Sequence, residues 1–132
     1  MKDRGLLHPQ LVRVVAELGH GDLLGIGDAG LPLPLGVERV DLAVVRGVPA
    51  FLEVARAILA EVRAEGLVFA EESRSACPEL VEAVSALAPD ATIEWVTHEE
   101  LKVRSRSARA MVRTGEFTPY ANVLVVSGVD FS

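Results

Sequence analysis

The chain has one cysteine, Cys77, among 132 residues, which excludes an internal disulfide and any zinc site built on cysteines. A lone thiol suits a reducing compartment, and packing alone can account for it. Basic residues are outnumbered: 13 lysines and arginines stand against 19 aspartates and glutamates, a formal charge of −6. Nucleic acid or an anionic membrane would need a basic patch, so neither is an expected partner. A neutral or cationic small molecule suits this surface better. No apolar run approaches the ~20 residues of a membrane span, and only Leu6 and Leu7 precede the polar residues from His8, so no secretory leader is expected. The expected location is the cytoplasm. Side-chain amides are nearly absent: Asn122 and Gln10 are the only two, and Asn122 lies two residues after the only tyrosine, Tyr120.

Half of the residues are hydrophobic, enough for one core over 1–132. Leu11, Val14, Val15 and Leu18 repeat at helical spacing after Pro9, and Gly19 stops them. Leu23 to Ile26 reads as a buried strand and Val40 to Val45 as a second. Pro49 opens a helix carrying Phe51, Leu52, Ala55, Leu59 and Val62, and Gly66 to Ala70 is a third strand. Pro78 starts a helix with Leu80, Val81, Val84 and Leu87, and Thr92 to Val96 is a β-branched, aromatic strand. Thr97 with Glu100 has capping-box spacing, predicting a helix to about Thr114 ended by Gly115. Asn122 to Ser127 closes the chain as an interior strand. Strands alternating with helices, as continuous apolar runs, predict a single three-layer α/β/α domain with a mostly parallel sheet.

The chemistry concentrates at Gly19-His20-Gly21-Asp22 and Gly27-Asp28-Ala29-Gly30, which put an imidazole and two carboxylates at the ends of one candidate strand. A histidine exchanges protons near neutral pH, and flanking glycines admit a ligand to the backbone. His20 could equally complement the dipole at a helix end. Gly25-Ile26-Gly27-Asp28-Ala29-Gly30 spells a dinucleotide fingerprint, but Leu31-Pro32-Leu33-Pro34 follows where a helix should open. His98 falls at the first position of the helix capped by Thr97, where the dipole favours an uncharged ring. No pair of histidines has the spacing of a metal motif, so no metal is expected. Neither a nucleophile elbow nor a P-loop is present. Tyr120 and Asn122 offer a hydroxyl, an amide and an aromatic face, the groups a sugar site uses.

In order, Leu18-Gly19-His20-Gly21-Asp22, Asp28-Ala29-Gly30-Leu31-Pro32, Gly47-Val48-Pro49, Ala70-Glu71-Glu72, Thr97-His98-Glu99, Arg113-Thr114-Gly115-Glu116 and Pro119-Tyr120-Ala121-Asn122 resemble the D-ribose pyranase family, relatives of the fucose mutarotases. The resemblance runs nearly end to end. It implies cofactor-free interconversion of the pyranose and furanose forms of D-ribose, with His20 as proton donor and Asp28, His98, Tyr120 and Asn122 as substrate contacts. It further implies a ring-shaped homo-oligomer, typically a decamer, with sites near subunit junctions. Lys102 matches a family position and is expected to reach a neighbouring site. Asp22 is expected to support the loop around His20. Gly21 stands where many ribose-type members carry threonine, and Gly-His-Gly-Asp also occurs in the fucose branch. The alternatives are therefore an L-fucose mutarotase, or a sugar-binding or transport-accessory module without catalysis.

Overall fold

The apolar run after His20 becomes β1 (Leu23–Gly27), in the middle of a six-stranded sheet, in a computed structural model that describes residues 1–131. Before it, α1 (Pro9–Glu17) starts with proline in its first turn, and Nδ1 of His8 accepts the Leu11 N–H at 3.2 Å. His8 is thus an N-cap. Then come β2 (Glu38–Asp41), α2 (Phe51–Leu59), β3 (Ala64–Ala70), the short α3 (Ser73–Ala76), α4 (Pro78–Leu87) and β4 (Thr92–Val96). The chain ends with α5 (His98–Ser105), β5 (Ala110–Arg113) and β6 (Val123–Ser127).

The strand order is β2-β5-β1-β6-β3-β4. β1 with β5, β2 with β5 and β3 with β4 pair in parallel, while β6 is antiparallel to both β1 and β3. Five strands therefore share one direction and β6 alone is reversed, which makes the sheet mixed. The cause is the connection from β5. Residues 114–122 contain no helix, and a parallel return needs roughly a dozen or more residues of crossover. This loop instead passes over the end of β1 and drops back down its other side.

Each interior strand is buried on both faces, which is why it reads as a continuous apolar run. Leu24, Ile26, Val112, Val123 and Val125 face a layer built from α1, α2 and α4. Val68, Met111 and Leu124 face Leu31 and Leu101, the latter from α5. Three layers result. A fully buried side chain of this size contributes about 1.5–3 kcal/mol, so the two-sided burial of the sheet dominates the fold's stability.

Several boundaries differ from the sequence reading. β2 occupies Glu38–Asp41 rather than Val40 to Val45: only Val40 is buried in it, and Val44 and Val45 are exposed beyond its end. Glu38, Arg39 and Asp41 suit an edge strand, where charge discourages further pairing. α2 begins at Phe51, capped by Ala50, whose N–H is taken by Glu53 Oε1 at 2.9 Å, and it ends before Val62. Pro49 lies in the preceding turn.

The largest difference is that α5 stops at Ser105, and the rest of the expected long helix is β5 between β1 and β2. Ala110 and Val112 face one layer and Met111 the other, so the apolar stretch is too short to overrule the helix-forming residues around it. The capping box is half present. Thr97 Oγ1 accepts the Glu100 N–H at 3.1 Å, but the Glu100 carboxylate turns to Arg104 at 3.3 Å.

Candidate active site

Because β1 to β5 run one way and β6 the other, the ends of β1, β3, β4 and β5 share an edge with the start of β6. Carboxyl ends of strands are where open α/β sheets gather ligand-binding groups. Asp28 follows β1, Glu72 and Ser73 follow β3, His98 follows β4, and Tyr120 and Asn122 precede β6.

The loop over β1 fixes Asp28. Thr114 donates to the Gly27 carbonyl through both N–H (3.0 Å) and hydroxyl (2.8 Å), and the Ala29 N–H donates to the Glu116 carbonyl at 2.8 Å. Asn122, 1% exposed, accepts the Asp28 N–H on Oδ1 at 2.9 Å. Asp28 Oδ1 accepts the Gly30 N–H at 2.8 Å, bending the chain after the strand, and the next helix is as distant as Phe51. Gly25 and Gly27 lie inside β1, where an added Cβ would press against the Met111 and Leu31 side chains. The apparent dinucleotide fingerprint is therefore a packing requirement followed by a turn.

His98 opens α5, and its N–H is taken by both Glu72 carboxylate oxygens, at 3.0 and 3.3 Å. Its ring stands edge-on to Tyr120, centroids 5.0 Å apart at 88°. Two buried polar atoms have no partner among the described residues: His98 Nδ1 and Asn122 Nδ2. Buried polar atoms are normally satisfied, so an acceptor-or-donor nitrogen and an amide N–H₂ facing no protein group are suited to a hydroxylated ligand. An open cleft of about 250 Å³ is lined by Asp28–Gly30 and Glu116–Pro119, and Asn122 touches its wall through the bond to the Asp28 N–H.

Glu116 ties this edge to the helices. Its carboxylate accepts the Phe51 N–H (3.0 Å), the Thr118 N–H (3.3 Å) and the Thr118 hydroxyl (2.8 Å). Burial alone would raise its pKa, but the bonds from Thr118 and Phe51 outweigh burial and hold it below the ordinary carboxylate value.

His20 is elsewhere. It precedes β1 at the opposite edge, is exposed, and its Nε2 lies 3.0 Å from Glu65 Oε2. Glu65 sits at a register shift between β3 and β6, the local bulge that aims its carboxylate at the imidazole. Asp22 shapes the turn, accepting the Gly19 N–H at 2.7 Å, while Gly21 N–H donates to Ser127 O at 2.7 Å. Lys102 also lies apart, paired with Glu99 at 2.8 Å in a groove against Pro32 and Pro34. The chain thus brings together Asp28, His98, Tyr120 and Asn122, and leaves His20, Asp22 and Lys102 outside that cluster. Among the described residues no three His, Cys, Asp or Glu side chains converge as metal ligands.

Glu65, Glu72, Ser73 and Glu116 carry no assignment from sequence. Glu72 and Glu116 fall inside the family-like segments, a signal that could have found them, whereas a buried serine in a single turn of helix has none.

Residues 1–130 match the model of the RbsD / FucU transport protein family. A D-ribose pyranase of Pseudomonas putida (strain GB-1) is 52% identical over 132 residues, 99% of this chain and 100% of that protein. One from Chloroflexus aggregans is 47% identical over 131 residues, again 99% and 100%. The structure of Bacillus subtilis RbsD complexed with D-ribose superposes with a TM-score of 0.95 at 40% identity, covering 99% of this chain and 100% of that one. The fucose mutarotase from Streptococcus pneumoniae in complex with L-fucose has a TM-score of 0.78 at 24% identity over 94% of each chain, a likeness of fold alone.

Proposed function

Because the chain belongs to the RbsD / FucU transport protein family, we propose that it is a D-ribose pyranase, interconverting the pyranose and furanose forms of D-ribose without a cofactor. The observation that carries this reading is 52% identity to a D-ribose pyranase over the full length of both chains, against 24% for the fucose mutarotase. The chain acts as one domain in the cytoplasm.

Ring interconversion begins with a cyclic hemiacetal. The anomeric hydroxyl loses a proton as the bond from C1 to the ring oxygen breaks, and that oxygen gains a proton. The open aldehyde is then attacked by a different chain hydroxyl, and the same transfers run in reverse. No atom is lost and no electron is transferred. A positioned acid/base group is typically worth ~10²–10⁴-fold in such a step. His20 is the acid that protonates the ring oxygen. Asp28 orients a sugar hydroxyl, and His98 gives or takes a hydrogen bond at Nδ1. Asn122 Nδ2 and Tyr120 hold the remaining hydroxyls, with Tyr120 also a partner in proton transfer.

The separation of His20 from that cluster is resolved by assembly. β1 has five residues, and at ~3.3 Å per residue its first and last Cα atoms are about 13 Å apart, with His20 and Asp28 beyond them on either side. A ring of identical subunits, a decamer in this reading, meets head to tail and brings His20 of the partner subunit to the Asp28 edge. Exposed Val44, Val45, Val48 and Phe117 supply apolar surface for such junctions.

Saturation-transfer NMR on equilibrated D-ribose tests the function. Exchange between pyranose and furanose signals should speed up with protein, and an unchanged rate would overturn the reading. The family's description as transport proteins favours one second reading, a sugar-binding accessory. Calorimetry that finds ribose bound while exchange stays unaccelerated would select it.

A further inference from the structure

Tyr120 has φ of +62°, the only positive φ outside glycine among the described residues. A side chain on Cβ disfavours that region, and for a bulky residue it is a genuine outlier. Such a conformation persists only where the surroundings over-determine it. Here they act on the carbonyl oxygen of Tyr120. It accepts the Asn122 N–H at 2.9 Å, the Ser73 hydroxyl at 2.8 Å and the Cys77 thiol at 3.5 Å.

Ser73 is fully buried at 0% exposure, and its hydroxyl proton is committed to that carbonyl across 47 positions of sequence. The residue before it, Glu72, holds the His98 N–H. Two adjacent residues just after β3 therefore hold the backbone of both members of the His98–Tyr120 pair, one by its N–H and the other by its C=O. A serine at this depth has no need of a hydroxyl for packing, since alanine fills nearly the same space.

We propose that Ser73 is a positioning residue for the ring interconversion: through the Tyr120 carbonyl it maintains the left-handed backbone that sets the phenol against the sugar. This rests on the reading of Tyr120 as a sugar contact.

The experiment compares wild type, Ser73→Ala, Tyr120→Phe and the double variant by saturation-transfer NMR on ribose, with circular dichroism and thermal melts as controls for folding. Ser73→Ala should remain folded and lose between about tenfold and a hundredfold in catalysed exchange, the scale of a small misplacement at a reacting centre. In the Tyr120→Phe background the same change should add little, because the hydroxyl it positions is already gone. Independent multiplication of the two losses, or wild-type exchange in Ser73→Ala, would overturn the inference. If Ser73→Ala does not fold, Ser73→Cys takes its place: its weaker thiol donor should leave a smaller but measurable loss of exchange and a smaller His98 shift, and wild-type values of both would overturn the inference.

A second readout is free of activity: the His98 ring-proton shifts, set by the edge-on tyrosine ring, should move in Ser73→Ala. An inactive wild type would overturn the function and leave this readout standing. Unmoved His98 shifts in a folded Ser73→Ala would overturn the positioning role whatever the activity.

Discussion

His20 and Asp28 stand at opposite ends of β1, the imidazole before Leu23 and the carboxylate after Gly27. Both are needed by the proposed chemistry, and a rigid, fully paired central strand keeps them apart. Inactive variants should therefore complement each other. His20→Ala and Asp28→Ala, each without measurable acceleration, are dissociated, mixed in equal amounts and reassembled. A head-to-tail junction then joins an intact His20 to an intact Asp28 in about a quarter of sites by random assortment. Ribose exchange should recover to about that fraction, and a mixture as inactive as its parents would place the whole site within one subunit.

His20 itself has a partner in Glu65 at 3.0 Å. With Nε2 held by the Glu65 carboxylate, Nδ1 is the nitrogen free to act on the sugar in the proposed reaction. Glu65→Ala should lower the catalysed rate by roughly tenfold or less while changing stability by under about 1 kcal/mol, since both groups are exposed. Exchange kinetics beside a urea melt check this, and an equal loss in both would make Glu65 structural.

The pH dependence of stability should centre on Glu116. Its carboxyl is harder to protonate in the folded chain than in the unfolded one, although burial opposes this, because Thr118 and Phe51 bond to the anion. A carboxylate with a lowered folded pKa contributes stability that is complete above the unfolded pKa and is lost as pH falls through the folded one. Asp41, bonded by Arg113 just before the same loop, carries the same sign. Urea midpoints should therefore hold down to about pH 4.5 and drop as pH falls further. Glu116→Gln should cost about 1–3 kcal/mol at neutral pH, as an amide N–H₂ is turned toward donors, and should flatten that drop. An unaltered slope would remove Glu116 from the linkage.

Much of this architecture was legible because burial writes itself as pattern. α1, α4, β1 and β4 carry unbroken periodicity between proline and glycine or polar stops, and they appear where that pattern puts them. β5 is hidden because Ala110, Met111 and Val112 serve two faces in so short a stretch that the helical residues before it dominate the reading. The reversal of β6 is a property of loop length against crossover length, and it appears only once β5 is known to be a strand. Asp28, His98, Tyr120 and Asn122 could be anticipated as neighbours from their places at strand ends. The separation of His20 from them is implicit in the same reading, which places His20 and Asp28 at the two ends of one strand.

Asn122 offers the sharpest separation of binding from folding. Its Oδ1 holds the Asp28 backbone N–H, a bond that an aspartate at the same position can also make, while its buried Nδ2 has no partner among the described residues. Asn122→Asp replaces that donor by an acceptor and sets a second carboxylate near Asp28. The sugar hydroxyl that would have accepted from Nδ2 is left facing a lone pair, and leaving a buried polar group unsatisfied costs about 1–3 kcal/mol. Ribose affinity measured by calorimetry should fall by about tenfold to a hundredfold, with the sheet and its cooperative melt retained. Unchanged affinity in Asn122→Asp would show that Nδ2 does not meet the sugar and would shift the binding role to His98 and Tyr120.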